Sequence, residues 1–583
     1  MLKDCIDKFY SIYDEDKENY ILDDYYLREG TYLLVNDNGD IEQELKVSKN
    51  NIDRTYEYYG YFVERDYLSK IFDTNKSIEN KRLIHSNNYL SFFIKKDSIK
   101  EKLTEDIIDT YYDILLNPMK KYEKDKNKKS MYEEVEKECG KVNEEKLQKN
   151  KSWIKEHIKN LIGDGNKEKN YLKIFFEADI EEYRKESKKY IIPNIYNSTQ
   201  YNIDIRGITY GLPNDNMGLN AKKPYLENKS RKNTLPYLIS TEEVSKQKKF
   251  FDYLMNNANQ GKNNVYISDD KIKCLPKGQF LEDNFNGYFL RIQKGKELEI
   301  HDFDNIVGMR FKIKNLKIQM VIPIDYKNVK PALKHDKIEN LKELEANINA
   351  VLFNKFLSNN YFTKPKDIRL NDFRVKENLL IYREAFFAWF YKGNSSVIRE
   401  SFGKLTMSLI KNSIRNNNLI RAKEQYNLGY GVLEYFEGVK NMADILKGLA
   451  DKLRRKINSE NPNEISLESD DEYYFAAGQV VSYLISLNKS SKKNLSFINP
   501  ILNCKSNERF KQEIIYLLRK YSYAIWDVNK RFKNLQSMIC GYIPEGKLNE
   551  NLFVAGYLYI NLIYEKNKVE NQNNETEGGK NHE

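Results

Sequence analysis

The chain has 583 residues, with 96 Lys+Arg against 86 Asp+Glu and a formal net charge of +10. That length supports two to four domains, and so small a basic surplus admits an anionic partner without demanding one. Five scattered cysteines (Cys5, Cys139, Cys274, Cys504, Cys540) argue against a disulfide framework or a metal knuckle and for a reducing cytoplasm, while acids in the first 20 residues and the lack of any long apolar run argue against a signal peptide or a membrane span.

Residues 1–119 read as a mixed α/β region. Thr31–Val35 and Ile41–Val47 flank Asn-Asp-Asn-Gly, a sequence suited to the positive backbone angles of a hairpin turn. Helical spacing follows at Asp66–Phe72 and Glu105–Leu116, where Pro118 ends the second. Residues 120–169 form a charged helical insertion, nearly all charge through Lys159, which predicts a solvated or partly ordered helix. The alternative is a basic arm on nucleic acid, and Glu133, Glu134, Glu136 and Glu138 oppose it by repelling phosphate.

Residues 170–337 read as a β-rich region. Tyr171–Phe176 is a short apolar run, Ile203–Tyr210 alternates in part, and Gly287–Ile324 looks like a meander of YFLRIQ, ELEI, MRFKI and KIQMVIPI. From 338 to 566 the spacing is helical: Glu377–Tyr391, Val397–Ile414, Leu419–Lys456, Glu472–Leu487, Glu508–Leu535 and Asn549–Tyr564. The polar tail, 567–583, is expected to be disordered by composition. The expected fold class is α+β: a mixed α/β N-terminal region with a mostly antiparallel sheet, then an all-helical C-terminal bundle.

Catalytic equipment is sparse. The histidines are His85, His157, His301, His335 and His582, with no two at metal-ligand spacing. His301, Asp302 and Asp304 could approach a divalent ion, but the segment reads as a turn between strands. Asp269 and Asp270 resemble the paired carboxylates of a polymerase palm and read equally well as a solvated turn. Asp470 and Asp471 suit the start of a helix, where negative charge is favourable. Neither a phosphate-loop Gly-Lys-Ser/Thr nor a Gly-x-Ser-x-Gly elbow occurs. No metal, cofactor or catalytic residue is expected. The 44 tyrosines suit base stacking, but AT-rich codons favour the same residue, so they carry little functional weight.

One stretch stands apart: GITYGLPNDNMGLNAKKPYL (207–226), followed by NKSRKN (228–233). Glycines let backbone approach a ligand closely. Asn214, Asn216 and Asn220 offer donors and acceptors for base edges, beside Met217. Lys222, Lys223, Lys229, Arg231 and Lys232 supply charge for phosphate. The same composition also describes an ordinary surface loop.

NMGLNAKKPYL with the SRK that follows resembles a segment shared by the large subunits of type I-B CRISPR interference (Cascade) complexes. FAAGQVVSYLISLNKSSKKN (475–494) with FINPIL (497–502) is similar to the helical C-terminal signature of that family. The resemblance is specific over about 50 residues and loose over most of the chain. Some related subunits carry paired cysteines that suggest a zinc ribbon; this chain has none, so zinc is not expected.

The resemblance implies a non-catalytic, cytoplasmic subunit with no membrane role. Its implied partners are a CRISPR guide RNA, target double-stranded DNA, the backbone and small subunits of the effector complex, and a recruited helicase–nuclease. It implies help in recognising the PAM, stabilising the R-loop and recruiting that nuclease in antiviral defence. The 214–223 loop is the expected PAM reader, with a grip on the guide-RNA end or on a neighbouring subunit as alternatives. The bundle is expected to lie along a strand through Arg454, Arg455, Lys456, Lys489, Lys492, Lys493, Arg509, Arg519, Lys530 and Arg531, with Lys452, Lys511, Lys520 and Lys533 nearby. A separate small subunit from an internal start would begin at Met407 or Met442. Two other classes compete: a metal-dependent nuclease or polymerase-like enzyme, and a purely structural scaffold.

Overall fold

The computed structural model describes residues 2–13, 17–48, 53–161, 168–214, 230, 238–295, 298–327, 329–438, 442–488, 495–525 and 529–565. The chain divides into two units, Met1–Gln279 with Gly287–Asn305 and Phe280–Asn286 with Ile306–Glu583. The fold is α+β, with mixed sheets toward the N-terminus and helices toward the C-terminus.

In the first unit, helices α1 (Leu2–Ile12) and α2 (Lys17–Asp23) precede the hairpin β1 (Gly30–Val35) and β2 (Ile41–Val47). The hairpin turn is closed by Asn36, whose Oδ1 accepts from the N–H groups of Asn38 (3.0 Å) and Asp40 (2.9 Å), with Gly39 at φ +90°. Then come α3 (Tyr59–Ser69), β3 (Ser91–Lys95), α4 (Lys96–Glu101), α5 (Glu105–Leu116), α6 (Met119–Tyr122), α7 (Lys126–Cys139), α8 (Glu144–His157) and β4 (Tyr171–Phe176). The expected 66–72 helix is therefore the end of α3, which stops at Ser69.

Strand β4 lies parallel to β1 and antiparallel to β3, giving the order β2-β1-β4-β3. At Gly30 the strands come so close that a Cβ would sit 2.6 Å from the Tyr171 carbonyl oxygen. Tyr32, Leu34, Phe62, Phe93, Ile174 and Phe175 fill the core of this sheet.

The charged insertion is packed, contrary to the solvated helix its composition suggested. Helix α7 buries Met131, Tyr132 and Val135, and α8 buries Leu147, Asn150, Trp153 and Ile154. Trp153 Nε1 donates to the Gly39 carbonyl at 2.7 Å and Asn150 Nδ2 to the Tyr89 carbonyl at 3.1 Å. One apolar residue every three or four positions is enough to seat a helix whose other faces are lysine and glutamate.

The unit continues with α9 (Ile180–Asn194), β5 (Ile203–Ile205), β6 (Ile208–Gly211), β7 (Ile239–Ser240), α10 (Thr241–Asn259), β8 (Asn264–Ile267), β9 (Ile272–Leu275), β10 (Phe285–Lys294) and β11 (Leu298–Met309). Strands β5, β6 and β7 make a small antiparallel sheet. A second four-stranded sheet has the order β11-β10-β8-β9, and Phe9 of α1 with Phe250 and Leu254 of α10 share a core with its Val265, Ile267 and Leu290. The four-strand meander expected over 287–324 is replaced by two long strands, β10 and β11, and a short third strand at Lys312–Lys317 that pairs with Lys337–Asn340 instead. Residues 301–304 lie inside β11 rather than in a turn, and 318–324 form no strand.

The second unit contains the antiparallel pair β12 (Lys312–Lys317) and β13 (Lys337–Asn340). Its helices are α11 (Leu341–Val351), α12 (Phe373–Lys392), α13 (Ser396–Arg415), α14 (Leu419–Glu437), α15 (Met442–Asn458), α16 (Asp470–Ser486), α17 (Asn499–Leu502), α18 (Asn507–Lys520), α19 (Lys530–Gly541) and α20 (Glu550–Leu558). Helix α16 is the centre, buried at every position from Glu472 to Val481. It touches α20 backbone to backbone: a Cβ on Gly478 would meet Phe553 O at 2.3 Å, and one on Gly556 would meet Phe475 O at 2.1 Å.

Two helices that periodicity joined are separate. The 419–456 pattern breaks at Gly438, left-handed at φ +64° and capping α14. The 508–535 pattern breaks after Lys520, where a 3-10 turn at Ser522–Ala524 follows α18. Among the described residues, no helix is long and apolar enough to cross a membrane.

Candidate nucleic-acid interface

Of the loop residues singled out by sequence, Asn216, Met217, Asn220, Lys222, Lys223, Lys229, Arg231 and Lys232 lie outside the described residues. The two ends of their segment are described, and they are pinned side by side. Gly211 of β6 pairs with Ile239 of β7, and Pro213 bridges Tyr196. The half-buried Asn214 donates its N–H to the Ile195 carbonyl at 2.8 Å. The Tyr196 hydroxyl lies 2.9 Å from the Thr209 carbonyl, 3.2 Å from the Ile239 carbonyl and 3.1 Å from Thr241 Oγ1, tying both ends to the start of α10. Gly211 is obligatory, because a Cβ there would fall 2.5 Å from both Tyr196 and Asn202. The two ends of the segment are thus held together by strand pairing and by Tyr196.

In the helical unit, many of the expected strand-binding cations are already engaged. Arg454 pairs with Asp451 and with Glu565 (2.6 Å). Lys456, only 12% exposed, pairs with Glu468 (2.9 Å) and Glu472 (2.8 Å), and Lys452 shares the same two carboxylates. Lys530 pairs with Glu460 at 2.9 Å, Lys511 donates to the Tyr542 carbonyl at 2.7 Å, and Arg531 binds Asn458 and the Glu565 carbonyl. Arg455 and Arg519 are exposed and have no ion pair among the described residues. Lys489, Lys492 and Lys493 lie outside the described residues. The described cations of the expected track thus divide among α15, α18 and α19, and Arg454, Lys456, Lys530 and Arg531 are held by neighbouring segments.

What remains is a face of α18 that holds two of the expected cations, Arg509 and Arg519, together with Gln512 and Tyr516, which sequence reading passed over. Arg509, Gln512, Tyr516 and Arg519, spaced by three, four and three, share one side of the helix and are all exposed. Lys505 precedes them and Tyr523 follows in the 3-10 turn. Tyr516 is 66% exposed and Tyr523 80%, far more than tyrosines normally show on a closed surface. Arg509 lies 3.8 Å from Glu513, a loose contact. Lys520 sits 4.6 Å over the Phe497 ring. The spacing was visible in the sequence; uniform tyrosine richness hid it.

Beside Lys505 two open cavities of about 520 and 410 Å³ share Lys547, Leu548 and Glu550. Exposed Lys404, Lys505 and Lys547 line them, and Glu550 is already paired with Lys411. The groove therefore continues the positive face of α18. Its wall at 542–546 is held by Asp470, whose carboxylate accepts from Tyr542 Oη (2.9 Å), Glu545 N (3.2 Å) and Gly546 N (2.6 Å). Burial pushes that carboxyl up, but these donors outweigh it and hold the pKa below its ordinary value.

The rest of the C-terminal signature is structural. Ala476, Ala477 and Gly478 are buried at the α16–α20 contact. Gln479 is fully buried; its Nε2 donates to the Gly556 carbonyl (2.6 Å) and its Oε1 accepts from Leu562 N (2.8 Å).

The acidic candidates are dispersed. His301 lies 2.8 Å from Glu299, and Asp302 and Asp304 each accept from the next N–H. Asp269 pairs with Lys8, and Asp270 accepts from Ser268. Among the described residues, no three His, Cys, Asp or Glu side chains come together as a metal site. Comparison with family models, with curated proteins and with solved structures finds no match to this chain.

Proposed function

We propose that the chain is a non-catalytic, cytoplasmic nucleic-acid-binding subunit, the large subunit of a type I-B CRISPR guide-RNA effector complex. In this reading it helps recognise the PAM of invading double-stranded DNA, holds the displaced or target strand, and supports recruitment of a separate helicase–nuclease. The observation that carries it is the exposed α18 face, where Arg509, Arg519 and Lys505 alternate with the open rings of Tyr516 and Tyr523. Cations for phosphate and bare aromatic faces for bases are what a single strand needs, without base readout. The resemblance at 216–226 with 230–232, and at 475–494 with 497–502, supports the assignment to that complex. The pinned ends at Asn214 and Ile239 support a recognition role for the segment between them.

The test is reconstitution with guide RNA and backbone subunits, followed by binding to target duplexes bearing randomised flanking sequence. Joint replacement of Asn216, Asn220, Lys222 and Lys223 by Ala is expected to erase preference among flanking sequences while the complex still assembles. Tyr516→Ala with Arg519→Ala is expected to weaken R-loop lifetime without changing that preference. A chain that fails to join the complex, or magnesium-dependent cleavage by the chain alone that Asp302→Ala abolishes, would overturn the reading.

A further inference from the structure

The charged insertion and its neighbours gather three lysines that have no carboxylate partner among the described residues. Lys76 Nζ donates to the carbonyls of Asn194 (2.6 Å) and Tyr196. Lys128 Nζ donates to Asn194 Oδ1 at 3.1 Å, so two ammonium groups meet at one asparagine. Lys121 Nζ donates to the Ser77 and Ile78 carbonyls, the residues directly after Lys76. All three are half-buried. An ammonium has three N–H groups. Lys76 and Lys121 each use two and Lys128 one, which leaves four N–H groups without a hydrogen-bond acceptor among the described residues, although Lys76 also lies 5.8 Å over the Phe72 ring and Lys128 6.0 Å over the Tyr122 ring.

The nearby acids offset only part of this charge: Asp73 acts on Lys76 and Lys128, Asp125 on Lys128 and Glu79 on Lys121, none of them as an ion pair among the described residues. Glu79 spends its carboxylate on the N–H groups of Arg82, Leu83 and Ile84. Asp125 caps α7 and accepts from Thr199, and Asp73 accepts from Asn75 N–H. Burial, then the charge of Lys128, lowers Lys76 to about 7 and Lys121 to about 8. Gathering like charges where water is partly excluded is unfavourable unless an opposite charge joins them. Exposed Lys124, Lys126 and Lys129 extend the positive surface around the cluster.

We infer that Lys76, Lys121 and Lys128 form a binding site for a phosphate group, carried by a nucleic-acid strand or by a free nucleotide. A tetrahedral anion with several acceptor oxygens matches several neighbouring ammonium donors better than a monovalent halide or a flat carboxylate. The site is separate from the α18 face and does not depend on the role proposed for it.

The test titrates the full chain with inorganic phosphate, a nucleoside 5′-monophosphate, and oligonucleotides with 5′-phosphate or 5′-hydroxyl ends. Lys128→Gln is expected to lower phosphate affinity about tenfold or more, with the ligand-free melting temperature unchanged within about 2 °C. Lys128→Arg should restore binding. A strand source predicts that oligonucleotides bind more tightly than the mononucleotide and lose that advantage in Lys128→Gln; a nucleotide source predicts that they do not. Should Lys128→Gln fail to fold, acylation of the unaltered chain decides the matter: phosphate is expected to protect these three lysines, and equal labelling with and without it overturns the site. Absence of saturable phosphate binding, or an equal loss from Lys124→Gln with Lys126→Gln, overturns it as well.

Discussion

The two units of this chain use the same residue types in opposite ways. In the first, lysines go inward. Lys173 is 8% exposed and pairs with Asp66, and Lys189 is 4% exposed and pairs with Glu186. Lys76 and Lys121 end on backbone carbonyls, and Lys128 on an asparagine side chain. In the helical unit, some cations clamp helices together (Arg454, and Lys456 at 12% exposed) and others stand free at the surface (Arg455, Arg519). Net charge therefore says little about where a partner binds. A cation is available only when its local geometry leaves it unspent, and this chain offers that condition in two unlike places.

The sharpest test of the contrast removes one member of an inward pair. Asp66 is 1% exposed and accepts from both Lys173 and Tyr25 Oη (2.7 Å). Asp66→Asn is expected to destabilise the chain by about 3 kcal/mol or more, because it strands a buried ammonium. Adding Lys173→Met should recover most of that loss. Urea denaturation reads both, and a single substitution costing as little as a surface change would break the comparison.

Next in size is the outward face. Tyr516→Ala should weaken single-strand binding by about 1–3 kcal/mol, while shifting stability by no more than about 0.5 kcal/mol. Fluorescence anisotropy against thermal melting separates the two. A loss of stability instead would mark Tyr516 as packing.

A pH series probes the lysine cluster. Lys76 and Lys121 titrate at about 7 and 8 when folded, against an ordinary 10.5. Between roughly pH 7 and 10.5 the unfolded chain holds more protons, so their contribution to stability rises with pH, and the full penalty applies below that window. In phosphate-free buffer the melting temperature should climb from pH 7 to pH 9, with a shallower climb in Lys76→Met. An identical slope in both proteins would show that the cluster does not carry the effect.

The smallest effect belongs to the clamps. Lys530 and Glu460 are 53% and 90% exposed, so Glu460→Gln should leave thermal and urea melts indistinguishable from those of the unaltered chain.

Much of the fold was legible in local pattern. The β1–β2 hairpin followed from its Asn-Asp-Asn-Gly turn, α5 from its spacing and Pro118, and α12, α13 and α16 from apolar periodicity. What failed depends on partners distant in sequence or on one backbone angle. The insertion looked solvated because Met131, Trp153 and Ile154 are outnumbered by charge, yet three or four apolar contacts seat each helix. Periodicity runs through Gly438 and Tyr521 because it does not register where the backbone turns. For the interface, nothing local distinguishes Arg454, committed to Glu565 over a hundred residues away, from Arg519, which is free. Sequence could have flagged the 509–512–516–519 stripe, since its spacing is helical.

The paired ends of the segment between Asn214 and Ile239 have a consequence for its length. Strand pairing and Tyr196 bring the two ends together, and closing a longer connection costs little more: for a flexible one, each doubling of length costs about 0.6 kcal/mol. What is fixed is the mount: the pairing of Gly211 with Ile239 and the bonds of the Tyr196 hydroxyl do not depend on the residues between them.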